Sequence, residues 1–144
     1  MTERTVLDFY RHEVDSPRSE HYHHWTPSGR RALSTEQFFH RTTALADSLT
    51  ELGIERGDRV MLLSDNRPEW HMVDLATIDL GAADVPIYGT LTPAQIAYQV
   101  TDSGSKVAVA ENADQMAEFL EIRDQCPELS HLSQIEGPRA AGVL

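Results

Sequence analysis

Two spacings of apolar residues follow one another along most of this chain, and each change of spacing marks a new element. Phe38, Thr42, Leu45, Leu49 and Leu52 recur at steps of four and three, which lines one face of a helix. Ser34 and Gln37 supply a capping box at its start, with Leu33 and Phe38 as the hydrophobic staple. Gly53 and Ile54 supply a left-handed end and an apolar residue to fold back, so the helix is predicted from Thr35 to about Leu52. Val60-Met61-Leu62-Leu63 is continuously apolar between turn residues, the pattern of a strand covered on both faces and therefore central in a parallel sheet.

The same alternation continues. Pro68 suits a first helical position, and Trp70, Val73, Ala76, Ile78 and Leu80 carry a predicted helix to about Ala83. A strand is predicted from Asp84 to Tyr88, with Asp84 unusually polar for it. Thr92 and Gln95 repeat the capping box, Leu91 and Ile96 the staple, and Pro93 opens a helix to Ser103. Lys106 to Ala110 reads as a strand and Asp114 to Gln125 as a helix closed by Pro127. The first thirty residues are weakly patterned. Tyr22, His24 and Trp25, a turn at Pro27-Ser28-Gly29 and a return through Ala32 and Leu33 predict a small hairpin. Strands alternating with helices of ten or more residues define an α/β fold, a mostly parallel sheet with helices on both faces. The expected organisation is an extension with a hairpin over 1–33, an α/β unit over 34–136 and an unpatterned tail over 137–144, where the sheet looks unfinished.

At 144 residues the chain has the length of one domain. Its 23 acidic against 12 basic residues give a net charge of −11, which repels a nucleic-acid backbone. A lone cysteine, Cys126, forms no intrachain disulfide or thiolate metal site, and the charged start does not resemble a signal peptide. A cytoplasmic protein without a membrane span is expected, with peripheral membrane association left open.

Phosphate-binding loops need closely spaced glycines and usually a lysine. Here no two glycines lie within three residues of each other, and the single lysine, Lys106, opens a strand. His21, His23 and His24 suggest a metal site only weakly, since surface histidines on strands are ordinary, and no metal is expected. Ser103 with Asp102 and His131 has the residue types of a nucleophilic triad, but Ser103 beside Gly104 reads as a helix end. Trp70 and Tyr98 read as core residues rather than stacking platforms. Ligands of open parallel sheets bind beyond the carboxyl ends of the strands, here 64–67, 88–92 and 111–113. That selects Asn66, Arg67, Tyr88 and Thr90 as candidate binding residues: Arg67 for a carboxylate or phosphate, Tyr88 for stacking. The competing reading makes Asn66 and Thr92 helix caps and Arg67 a surface residue.

Residues 33–109 resemble the start of the long-chain fatty acid CoA ligases, within the adenylate-forming enzymes. Gly57-Asp58-Arg59-Val60, Asn66-Arg67-Pro68-Glu69-Trp70, Val85-Pro86-Ile87-Tyr88, Thr90-Leu91-Thr92-Pro93, Gln95-Ile96-Ala97-Tyr98, Asp102-Ser103 and Lys106-Val107 stand in that family's order. The resemblance implies the first part of a large N-terminal domain of an enzyme that uses ATP and magnesium to join a fatty acid to AMP, then passes the acyl group to coenzyme A. The family's phosphate loop and catalytic lysine lie further along than this chain reaches, so no catalytic residue carries over and no cofactor is expected for this chain alone. Its expected partner is the remainder of the ligase, with fatty acid and coenzyme A bound only by the whole enzyme. Self-association through exposed apolar surface is a further expectation. The alternatives are a stand-alone, non-catalytic α/β binding module and a piece of an adenylate-forming ligase for aryl or amino acids.

Overall fold

The computed structural model describes residues 5–144. A first helix, α1 (Val6–Asp15), opens with a capping box between Thr5 and Asp8. Val6, Phe9, Tyr10 and Val14 do recur at helical spacing, a signal that the expectation of a weakly patterned first thirty residues overlooked, and none of the helix's residues is buried. Tyr10 anchors it by stacking on Phe39 at 4.0 Å. The hairpin follows as predicted, β1 (Tyr22–Thr26) antiparallel to β2 (Gly29–Leu33), with Tyr22 stacked on Phe38 at 4.8 Å.

The remaining elements are α2 (Thr35–Glu51), β3 (Arg59–Leu63), α3 (Pro68–Asp79), β4 (Ala83–Ile87), α4 (Pro93–Ser103), β5 (Val107–Ala110), α5 (Ala113–Ile122) with a 3-10 turn at Arg123–Gln125, and β6 (His131–Gln134). Both capping boxes form: Ser34 with Gln37 on α2, and Thr92 with Gln95 on α4. Helix α3 ends four residues before the expected Ala83, where Gly81 at φ +71° turns the chain into β4. Strand β6 was not predicted; a four-residue His-Leu-Ser-Gln segment carries too few apolar positions to show a period.

The four strands β3 to β6 form one parallel sheet in the order β4-β3-β5-β6. Val60, Leu62, Val107 and Val109 face α2 and α3, packing on Leu49, Val73 and Ala76. Met61, Leu63, Ala108, Ala110 and Leu132 face α4 and α5, packing on Ile96, Val100, Met116 and Phe119. The chain moves one way from β3 to β4 and the other way thereafter. Crossovers of one hand then require α3 on one face and α4 and α5 on the other, as observed.

Candidate functional site at the carboxyl end of the sheet

That reversal of direction places the switch point between β3 and β5, the crevice where doubly wound sheets take their ligands. In this protein the crevice is bridged by its own side chains. Glu111, just after β5, accepts hydrogen bonds from Ser64 Oγ at 3.1 Å and from the Asp65 amide at 2.8 Å. Its other oxygen lies 3.2 Å from Arg67 Nη1. Arg67 also donates through Nε to Glu69 at 2.8 Å and through Nη2 to Glu136 at 2.9 Å. One guanidinium thus ties the ends of β3 and β5, the start of α3 and the segment after β6.

The electrostatics follow from that crowding. Burial works against the Arg67 charge, but its hydrogen bonds to Glu136 and Glu69 outweigh it and raise its pKa further. Burial likewise pushes the Glu69 carboxyl up, and the Arg67 bond and charge overcome this and hold it below the usual range. With three carboxylates around one arginine, the knot carries a net charge of about −2 at neutral pH.

Beside the knot lies a cleft of about 820 Å³ between the hairpin and the loop that leads into α3. Tyr22, His24 and Trp25 line one wall; Asn66, Arg67 and His71 line the other. Of the four residues selected from sequence, Asn66 and Arg67 meet here. Tyr88 and Thr90 do not, being exposed beyond β4, with Tyr88 81% accessible. Asn66 is not a helix cap, since Arg67 occupies that position on α3 without a side-chain capping bond. Thr92 is one, as expected. Arg67 is no simple surface residue either, since each of its three guanidinium nitrogens already faces a carboxylate. The acidic neighbours repel an anion, so these residues do not fit a nucleotide phosphate.

The remaining sequence candidates disperse. His23 pairs with Glu20 at 3.1 Å and meets Arg30, while His21 sits against Arg18 and the Phe38 ring. Among the described residues no group of three or more His, Cys, Asp or Glu side chains is arranged to hold a metal. Ser103 Oγ donates to the Gln99 carbonyl at 2.7 Å, as a helix-end serine does. Trp70 packs on the core as expected, but Tyr98 is 68% exposed. The signals that sequence reasoning missed at the knot were Glu111 and Glu136, whose approach to Arg67 depends on the strand order and on β6.

An open parallel α/β sheet with its switch point between β3 and β5 is the architecture of many nucleotide- and acyl-group enzymes. The family model described as AMP-binding enzyme matches residues 10–142, and the chain belongs to that family. It is 30% identical over 128 residues to the long-chain-fatty-acid–CoA ligase FadD15 of Mycobacterium bovis, covering 89% of this chain and 21% of that protein. The N-terminal domain of FACL13 from Mycobacterium tuberculosis superimposes with a TM-score of 0.78 at 27% identity, covering 92% of this chain and 34% of the other. The anthranilate CoA ligase AuaEII, solved with anthranoyl-AMP, shares the fold with a TM-score of 0.81 at 23% identity over 92% of this chain and 25% of its own. The chain therefore spans about a fifth of the length of the ligase FadD15.

Proposed function

We propose that this chain forms the N-terminal α/β scaffold of a long-chain fatty acid CoA ligase, and that it does not adenylate a carboxylic acid by itself. The observation that carries the reading is the family match over residues 10–142, on a chain whose switch-point arginine is already held by three carboxylates. In the whole ligase a carboxylate oxygen attacks the α-phosphorus of ATP and pyrophosphate leaves; the coenzyme A thiol then attacks the acyl carbonyl and AMP leaves. ATP, magnesium and coenzyme A belong to that assembled enzyme, and the remainder of the ligase is the partner of this chain. No helix among the described residues is long and apolar enough to cross a membrane, and the reading places the protein in the cytoplasm.

The test has two arms. The purified chain with ATP, magnesium and palmitate is expected to give no acid-dependent pyrophosphate exchange; robust exchange would overturn its inactivity. A chimera in which this chain replaces the matching 128 residues of FadD15 is expected to form palmitoyl-CoA, and a folded but inactive chimera would overturn the scaffold role.

A further inference from the structure

The cleft beside the Arg67 knot lies at the switch point, where doubly wound sheets take their ligands, yet its chemistry is the reverse of a phosphate site. Asp65, Glu111 and Glu136 line it against the single guanidinium of Arg67, which leaves the lining with a net charge of about −2 at neutral pH. Two of these carboxylates keep oxygens uncommitted among the described residues. Asp65 bonds through its backbone amide and carbonyl and not through its side chain. Glu136 meets Arg67 with Oε2 alone, and its Oε1 accepts no bond.

The opposite wall adds two features of another kind. Trp25 is 81% exposed, an indole that the fold leaves almost uncovered. Nδ1 of His24 is buried without a hydrogen-bond partner, and a neutral imidazole accepts an N–H there. Open carboxylate oxygens across from an aromatic ring are the chemistry that holds an alkylammonium or a guanidinium, whose charge pairs with the acids while it lies over the π-face. A metal ion is a poorer match, because among the described residues no group of three or more His, Cys, Asp or Glu side chains is arranged to hold one. At about 820 Å³ the cleft has room for the body that carries the cation as well as for the cation itself.

We propose that this cleft is a binding site for an organic cation, a primary ammonium or guanidinium group held between Trp25 and the carboxylates of Asp65 and Glu136. The inference rests on the cleft of this chain and not on the ligase reading.

The experiment titrates the isotopically labelled full chain with agmatine, which carries both cationic groups, and follows the Trp25 indole N–H and the backbone amides by NMR. Agmatine should give saturable shifts at Trp25 and Asn66 with a Kd in the millimolar range, as exposed ion pairs and one cation–π contact allow. Uncharged butylurea and inorganic phosphate should give none. Trp25→Ala and Asp65→Asn each replace an exposed side chain, so the fold should persist, and each should weaken agmatine by about three-fold or more. Tyr88→Ala, an aromatic equally exposed beyond β4, should leave the affinity unchanged. The peptide acetyl-Ala-Arg-Ala-amide separates the sources. Binding at least as tight as agmatine assigns the site to a basic side chain of a protein partner, and its exclusion assigns the site to a free amine.

Because the chain carries a net charge of −11, any cation gathers near it, and a true site must be distinguished from that atmosphere. Shifts that never saturate and spread over the whole acidic surface would overturn the proposal. So would an equal response to butylurea, phosphate binding in place of agmatine, or an affinity indifferent to both Trp25→Ala and Asp65→Asn. None of these outcomes bears on pyrophosphate exchange or on the chimera, so the ligase reading stands or falls separately.

Discussion

Lys106 Nζ lies 2.8 Å from Asp58 Oδ2, joining the entrances of β5 and β3 across 48 residues of chain. The same carboxylate oxygen accepts the Glu55 amide at 2.9 Å, which closes the turn before β3. Both residues sit in the strings that carry the family resemblance, so the single lysine of this protein is a staple at the amino end of the sheet. It lies at the opposite end from the candidate site.

The Lys106 hydrogen bond, then the Glu55 amide, hold the Asp58 carboxyl below its ordinary value. A depressed carboxyl contributes stability that is present above its unfolded pKa, about 3.8, and is lost as pH falls through the lower folded value. Lys106→Ala is expected to cost about 1 kcal/mol or less at pH 7, since the amine is partly exposed. Urea denaturation of wild type and variant should show the difference shrinking below about pH 4; a difference independent of pH would remove the pair from the account.

A second staple lies nearby. Arg59 donates to the carbonyls of Ser103, Gly104 and Gly57, gripping the end of α4 from the start of β3. Gly104 has φ +63°, and a Cβ there would come within 2.5 Å of Arg59 Nη2 and 2.7 Å of Glu128 Oε2. Gly104→Ala therefore adds left-handed strain to a displaced guanidinium and should cost about 2 kcal/mol. Arg59→Ala removes the group that clashes, so in a double-mutant cycle the two losses should fall short of additive by about 0.5 kcal/mol or more. Simple additivity would show that the arginine does not feel the glycine.

These staples bear on how much of the fold could be read beforehand. The capping boxes at Ser34 and Thr92 are local chemistry, satisfied within four residues, and they located the starts of α2 and α4 to the residue. The apolar run of β3 was equally local. Helix α1 carried the same kind of signal in Thr5 and Asp8, with Val6, Phe9, Tyr10 and Val14 at helical spacing behind it, so it was legible and overlooked. Strand β6 and the Arg67 knot were out of reach for another reason. Their partners lie 44 to 69 residues away from Arg67 in sequence, and only the strand order brings Glu111 and Glu136 to it. Arg67 could be marked from its position after a buried strand; whether it was free or committed could not.

The knot yields a prediction of its own. Arg67→Leu leaves Glu69, Glu111 and Glu136 facing one another without a cation, and should destabilise the protein by about 2 kcal/mol at pH 7. Without Arg67, burial alone acts on the Glu69 carboxyl that the arginine otherwise holds below the usual range, so the difference between variant and wild type should shrink as the pH falls. Arg67→Lys, with one ammonium in place of a planar three-way donor, should fall between the two. Thermal melts at pH 7 and pH 4.5 check this, and a variant equally weakened at both would assign the cost to lost packing instead.

The last prediction concerns Asp84, the residue that looked too polar for its strand. Asp84 and Pro86 share the sheet face of Val60 and Leu62, so Asp84 lies under α3 and meets Asp74. Burial first, then the Asp84 charge and a hydrogen bond with it, raise the Asp74 carboxyl to about 6. The protonated Asp74 carboxyl is hydrogen-bonded with Asp84, and the ionised one is repelled by it. A raised carboxyl gives stability that is complete below its unfolded pKa, about 3.8, and is lost as pH rises through about 6. Asp84→Asn replaces the repelling charge with an amide able to donate to Asp74. It should stabilise the protein by about 1 kcal/mol at pH 7, an amount reduced by solvent screening at this partly exposed pair, and by much less at pH 4. Carboxyl NMR titration of Asp74 should follow, its midpoint falling in the variant. An unmoved midpoint would show that burial alone, and not its neighbour, lifts it.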